Sequence, residues 1–80
     1  MQLYFKISDC WACTSKEYFE DITRYIQAND SNSLLKYALS GKCDLLKNET
    51  VYIVDYDWMG ISKVDLNGMK LYISTNCLKN

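Results

Sequence analysis

An Asn-Gly pair at positions 67 and 68 places the tightest constraint on how this 80-residue chain folds. Both central residues of a type I′ turn need positive φ angles, which Asn and Gly tolerate best, so Asn67-Gly68 predicts a β-hairpin. The residues around the pair agree, because Val64 and Leu66 alternate with charged residues before the turn and the alternation resumes after it. Residues 50–54 are β-branched and aromatic and predict a further strand.

Residues 45–78 are therefore predicted to form an antiparallel meander of short strands. Such strands have exposed edges, which a closed sheet removes, so we expect the meander to curl into a small barrel. The same segment carries a series of short motifs at residues 46–47, 60–68 and 72–74, followed by Leu78. This series resembles the bacterial Src-homology-3-like (SH3-like) domain family. The resemblance implies a small antiparallel SH3-like β-barrel, and it implies no particular ligand.

The N-terminal half has the patterning of helices. Apolar and aromatic residues at positions 18, 22, 25 and 26 form one stripe, which predicts an amphipathic helix of about 14 residues. Thr14 and Glu17 have the spacing of a capping box at its start. Either Asp30 or Ser31 can cap a second, shorter helix, and Gly41 follows its end.

These elements predict one α+β domain over residues 1–80. Residues 2–7 fit an edge strand, and residues 1–7 are too short and too mixed for a signal peptide. The first part, residues 1–42, supplies this strand and a helical hairpin. The hairpin packs on the SH3-like strands of residues 43–80.

Four cysteines, at positions 10, 13, 43 and 77, are the sharpest chemical feature. Small secreted domains with thin cores are often cross-linked, so we expect disulfides and a periplasmic or secreted protein. Among the possible pairings we prefer Cys13–Cys43, which ties the first helix to the barrel, and Cys10–Cys77, which ties the N-terminal strand to the C-terminal end. Each link contributes on the order of 3–4 kcal/mol by restricting the unfolded chain.

Three other interpretations of the cysteines stay open. A strand, then Cys10-x-x-Cys13, then a helix resembles the start of thioredoxin-like oxidoreductases, with Cys10 as nucleophile, although the cis-proline of that fold has no counterpart in this proline-free chain. Four thiolates can also hold zinc, but Cys43 and Cys77 lack the spacing of a zinc knuckle. Reduced, buried cysteines would suit a cytoplasmic protein. We predict no metal and no cofactor.

The candidate binding residues lie between two predicted strands. Tyr56 and Trp58 are flanked by Asp55 and Asp57. Exposed aromatic side chains beside carboxylates are typical of a protein-binding anchor with a polar rim. Alternatively, Trp58 folds back and plugs the mouth of the barrel. The two aspartates lack any neighbour that would make them a catalytic pair.

Charge and hydropathy exclude several classes of partner. Nine basic and ten acidic side chains give a net charge of −1, and the lysines form no stripe, so we predict no nucleic-acid partner. No apolar run is long enough for a membrane span. The sequence thus predicts a small non-enzymatic module that docks a protein partner, such as an inhibitor or adaptor from a phage or mobile element. The alternative is a thiol–disulfide oxidoreductase that uses Cys10 and Cys13.

Overall fold

The computed structural model describes residues 3–58 and 60–78, so residue 2 of the predicted first strand lies outside the described residues. Six strands form one antiparallel sheet, and two α-helices pack on it. In chain order the elements are β1 (Tyr4–Ile7), β2 (Cys10–Cys13), α1 (Lys16–Gln27), α2 (Ser31–Leu39), β3 (Cys43–Leu46), β4 (Glu49–Asp55), β5 (Ile61–Leu66), β6 (Met69–Ser74) and a 3-10 turn (Thr75–Cys77). The α+β composition agrees with the sequence prediction.

The predicted SH3-like barrel is wrong, because the sheet is open. Its strand order is β1-β4-β5-β6-β2-β3, which leaves β1 and β3 as the two edges among the described strands. The difference arises at β2, which the sequence analysis treated as a break between a strand and a helix. This strand inserts between β6 and β3, so the strands of residues 43–78 do not form a self-contained meander.

Local turn and cap signals mostly placed the elements correctly. Asn67 and Gly68 have φ angles of 53° and 92°, and the turn joins β5 to β6 as predicted. Asp30 caps α2 through a hydrogen bond from the Ser33 amide, and Gly41 has the positive φ expected just beyond the helix. The cap of α1, however, is Ser15 rather than Thr14.

Thr14 cannot cap α1 because its backbone continues the sheet. Its amide donates to the carbonyl of Lys42 at 2.9 Å, and its hydroxyl donates to the same oxygen. These bonds extend the β2–β3 ladder by one residue. The helix therefore starts one residue later, where the Ser15 hydroxyl accepts the amide of Tyr18 at 3.2 Å.

The larger apolar cluster lies on one face of the sheet. All six strands contribute to it, together with the segment after the 3-10 turn, so the sheet curls around this cluster. Its buried members are Ile7, Ala12, Leu46, Val51, Val64, Leu71, Ile73 and Leu78. We call this side of the sheet the concave face.

The helices cover part of the opposite, convex face. Cys13, Ile22 and Cys43 are the buried centre of a second cluster there. The partly buried residues around this centre are Trp11, Tyr18, Phe19, Leu34 and Tyr37. Because successive side chains of a strand point to opposite faces, β2 directs Ala12 to one cluster and Cys13 to the other.

Candidate functional site

Two buried hydroxyl groups fix the loop between β4 and β5. Ser62 on β5 accepts the amide of Asp57 at 3.0 Å, and its oxygen lies 2.6 Å from the hydroxyl of Thr75. Thr75 in turn donates to the carbonyl of Asp57 through its hydroxyl and to the carbonyl of Gly60 through its amide. Both hydroxyl side chains are buried. The loop backbone is therefore attached to the sheet and to the 3-10 turn.

The fixed loop presents aromatic side chains to solvent. Trp58 is 76% exposed and Tyr56 is 49% exposed. The alternative in which Trp58 plugs a barrel mouth is therefore wrong. Asp55, the last residue of β4, and Asp57 are exposed beside the aromatic residues, so the four predicted binding residues are consecutive and accessible. We call residues 55–58 the aromatic loop.

An apolar groove, which the sequence analysis missed, lies beside the base of this loop. It runs between α1 and the start of β5 and has a volume of about 660 Å³. Gly60 and Ile61, which follow the aromatic loop, form part of its wall. The opposite wall is α1, where Ile22 is buried and Ile26 is 46% exposed. We call this feature the α1 groove.

The width of the α1 stripe was the signal for this groove. The sequence analysis placed Tyr18, Ile22 and Ile26 on one apolar stripe of a helical hairpin that packs on the strands. In the structure α1 contacts α2 and β2 most, and it has fewer contacts, equal in number, to β3 and β6. This packing leaves Ile26 46% exposed. A stripe wider than its supporting surface leaves an accessible apolar flank.

The charged residues that line the α1 groove are both acidic. Asp9 and Glu20 belong to the lining, and no Lys or Arg is among the described lining residues. Within residues 3–58 and 60–78 neither carboxylate forms a salt bridge, whereas Asp21 and Asp65 each have one. The groove is therefore apolar along its walls and negatively charged at its rim.

The structure contains both disulfides with the preferred pairing. Cys13 and Cys43 face each other across β2 and β3 in the cluster under the helices. Cys10 and Cys77 are linked next to the concave cluster, and both residues also line the α1 groove. All four cysteines are thus bonded, which leaves none as a thiolate ligand for zinc.

Cys10 and Cys13 are not bonded to each other. They lie on β2 and point to opposite faces of the sheet, where each meets a different partner. The alternative interpretation, which placed this pair at a helix start, does not fit the structure, since α1 begins only at Lys16. The two cysteines of the motif therefore join β2 to two different parts of the chain, Cys10 to Cys77 and Cys13 to Cys43.

The carboxyl groups with perturbed acidity have structural partners outside this surface. The hydroxyl of Tyr37 lowers the pKa of Asp21, and the Ser33 hydroxyl and amide lower the pKa of Asp30. Lys70 and the Gly68 amide lower the pKa of Asp65. None of these three aspartates lies in the aromatic loop or lines the α1 groove.

Comparisons with known proteins do not assign this surface. No family model, no curated protein and no solved structure matches the chain. Within the described residues, no helix has the length and apolar character needed to cross a membrane. Function is therefore inferred from the aromatic loop and the α1 groove themselves.

Proposed function

We propose that this protein is a small, non-enzymatic binding module that docks a protein partner through the aromatic loop. The observation that carries the proposal is the 76% exposure of Trp58 on a backbone that Ser62 and Thr75 hold in place. Trp and Tyr are the side chains most enriched among the energetically dominant residues of protein interfaces. A fixed loop also loses little conformational entropy on binding, so it favours affinity.

The acidic residues around the loop suit the rim of such an interface. Asp55 and Asp57 are exposed on either side of Tyr56. Charged residues are depleted at the centre of interfaces and tolerated at the rim, where they steer association and select partners. In this proposal Trp58 is the central anchor, and the aspartates set the charge preference around it.

The proposed compartment is the periplasm or the outside of the cell. Two disulfides in an 80-residue chain are consistent with an oxidising environment. A compact, cross-linked module with one exposed anchor suits an inhibitor or an adaptor. Origin in a phage or mobile element remains part of the proposal.

Truncation of the anchor tests this function. Wild-type protein is immobilised to isolate binding proteins from the extracytoplasmic fraction of its source, and the affinity of each purified binder is then measured by calorimetry. We expect Trp58→Ala to weaken the affinity by about 30-fold, equivalent to about 2 kcal/mol, as for a dominant interface residue. Circular dichroism checks that the variant keeps its fold.

Leu39→Ala is the matched control, because Leu39 is 79% exposed on α2, outside the aromatic loop. Loss of affinity in Trp58→Ala with an unchanged Leu39→Ala supports the proposal. An unchanged affinity in folded Trp58→Ala contradicts it. A loss confined to Leu39→Ala would also contradict it and would place the interface on α2.

A further inference from the structure

The α1 groove has the size and lining of a receptor for large side chains. Its volume of about 660 Å³ falls within the roughly 300–1,000 Å³ typical of ligand-binding clefts. Apolar walls come from Trp11, Phe19 and Ile61, and each of these residues is only partly buried. The groove therefore leaves apolar surface accessible that an incoming apolar side chain would cover.

The groove and the aromatic loop are close to each other along the chain. Trp58 precedes the groove residues Gly60 and Ile61 by only two and three positions. The amide of Thr75 donates to the carbonyl of Gly60 at 2.9 Å, so this wall of the groove belongs to the same anchored backbone as the loop. A partner that covers Trp58 is thus brought to the mouth of the groove.

The rim determines the sign of the charge that this surface prefers. Asp9 and Glu20 are exposed there without a salt bridge among the described residues. Carboxylates of one sign around an apolar cleft attract cations and repel anions.

We infer that the α1 groove binds a segment of the protein partner in which a large apolar side chain is flanked by Lys or Arg. The inference rests on the proposed function, and it adds the chemistry of the partner. The apolar side chain enters between Ile26 and Ile61, and the flanking basic groups pair with Asp9 and Glu20. An acidic or purely apolar segment would leave these carboxylates without a counter-charge.

Two synthetic peptides provide the probe. Both have a Leu-Phe centre, and one carries Lys at every flanking position where the other carries Glu. We expect the Lys peptide to shift the amide NMR signals of Phe19, Ile26 and Gly60, and the Glu peptide to leave them unchanged. We also expect the Lys peptide to slow the reduction of Cys10–Cys77, which lines the groove, but not that of Cys13–Cys43.

Charge variants separate the groove from general electrostatic attraction. Glu20→Gln and Asp44→Asn change the net charge equally, but Asp44 lies on β3 and does not line the groove. We expect Glu20→Gln to weaken binding of the Lys peptide by about 3- to 5-fold, the effect of one exposed charge pair, and Asp44→Asn to leave it unchanged. Ile26→Ser should weaken it by about tenfold through loss of apolar contact.

Three results with the purified protein and the peptides would overturn the inference. These are equal affinities for the two peptides, equal effects of Glu20→Gln and Asp44→Asn, and peptide-free self-association that Ile26→Ser abolishes. The last result would make a second copy of this chain the occupant. None of these measurements uses Trp58→Ala. Loss of partner binding in Trp58→Ala but not in Glu20→Gln would therefore reject the groove while leaving the proposed function intact.

Discussion

At the scale of single residues, Ser62 and Thr75 decide how the aromatic loop is presented. The buried Ser62 hydroxyl accepts a hydrogen bond from the Asp57 amide, and the buried Thr75 hydroxyl donates one to the Asp57 carbonyl. The sequence identified the aromatic loop but left open whether Trp58 points to solvent or folds back. These hydrogen bonds join residues 5 and 18 positions apart, so no local pattern could reveal them.

Removal of one hydroxyl should loosen the loop without unfolding the protein. We expect Ser62→Ala to lower the free energy of unfolding by about 2 kcal/mol, since the hydrogen bond from the Asp57 amide and the buried hydrogen bond to the Thr75 hydroxyl are both lost. Hydrogen exchange measured by NMR should accelerate at the Asp57 amide and stay unchanged in the β5–β6 hairpin at Leu71. Unchanged exchange at Asp57 would show that Ser62 does not hold the loop.

At the scale of secondary-structure elements, local patterns predicted β5, β6 and the two helices well. The Asn67-Gly68 turn and the Asp30 cap depend on residues next to each other in the chain. β2 was missed because its residues Cys10–Cys13 lack the β-branched composition of a strand and form one only between β6 and β3. The pair Ala12↔Ile73 joins opposite ends of the sequence.

Asp30, the N-cap of α2, should make the free energy of unfolding depend on pH in the acidic range. The pKa of Asp30 is lowered from its usual 3.8, first by the Ser33 hydroxyl and then by the Ser33 amide. The unfolded chain therefore takes up this proton at a higher pH than the folded chain. The stabilisation from ionised Asp30 is complete above the usual value of 3.8 and is lost as the pH falls through the lower folded-state pKa.

Asp30→Asn tests this dependence, because Asn keeps a capping oxygen for the Ser33 amide but does not titrate. In urea unfolding between about pH 7 and pH 2, we expect the variant to match wild type near neutrality and to lose less stability in acid. Asp30→Ala, in comparison, should be less stable at every pH. If the free energy of unfolding fell equally in acid for wild type and Asp30→Asn, this role of Asp30 would be contradicted.

At the scale of the whole molecule, the sequence correctly predicted a mixture of helices and antiparallel strands, but it wrongly predicted that the sheet closes into a barrel. The barrel prediction assumed that consecutive strands pair, as they do from β4 to β6. The chain instead places β1 and β2, which are separated by only two residues, at different positions in the sheet. The α1 groove exists only because of this strand order, since Asp9 and Trp11 reach it from β2 and the link before β2.

The disulfides should supply much of the stability of so small a domain. They close loops with sequence separations of 67 and 30 residues, and each should contribute about 4 kcal/mol by restricting the unfolded chain. We expect the double variant Cys10→Ser, Cys77→Ser to lose about this much free energy of unfolding in urea. A reductant that leaves the melting temperature unchanged would contradict the prediction.

Reduction of the wild-type protein over time should show the order in which the two disulfide bonds open. Cys13 and Cys43 are 0% and 2% exposed, whereas Cys10 and Cys77 are partly exposed. Timed alkylation and mass spectrometry should therefore show reduction of Cys10–Cys77 first.

The two cross-links are nested, so a ring through Cys13 and Cys43 lies inside a ring through Cys10 and Cys77. A protease that cuts the chain once at the exposed aromatic loop would consequently release no fragment, because the outer bridge still joins the pieces on both sides. The nicked molecule would keep its mass, apart from one added water, until the bridge is reduced. A single cleavage at the aromatic loop would therefore not separate the molecule into two parts.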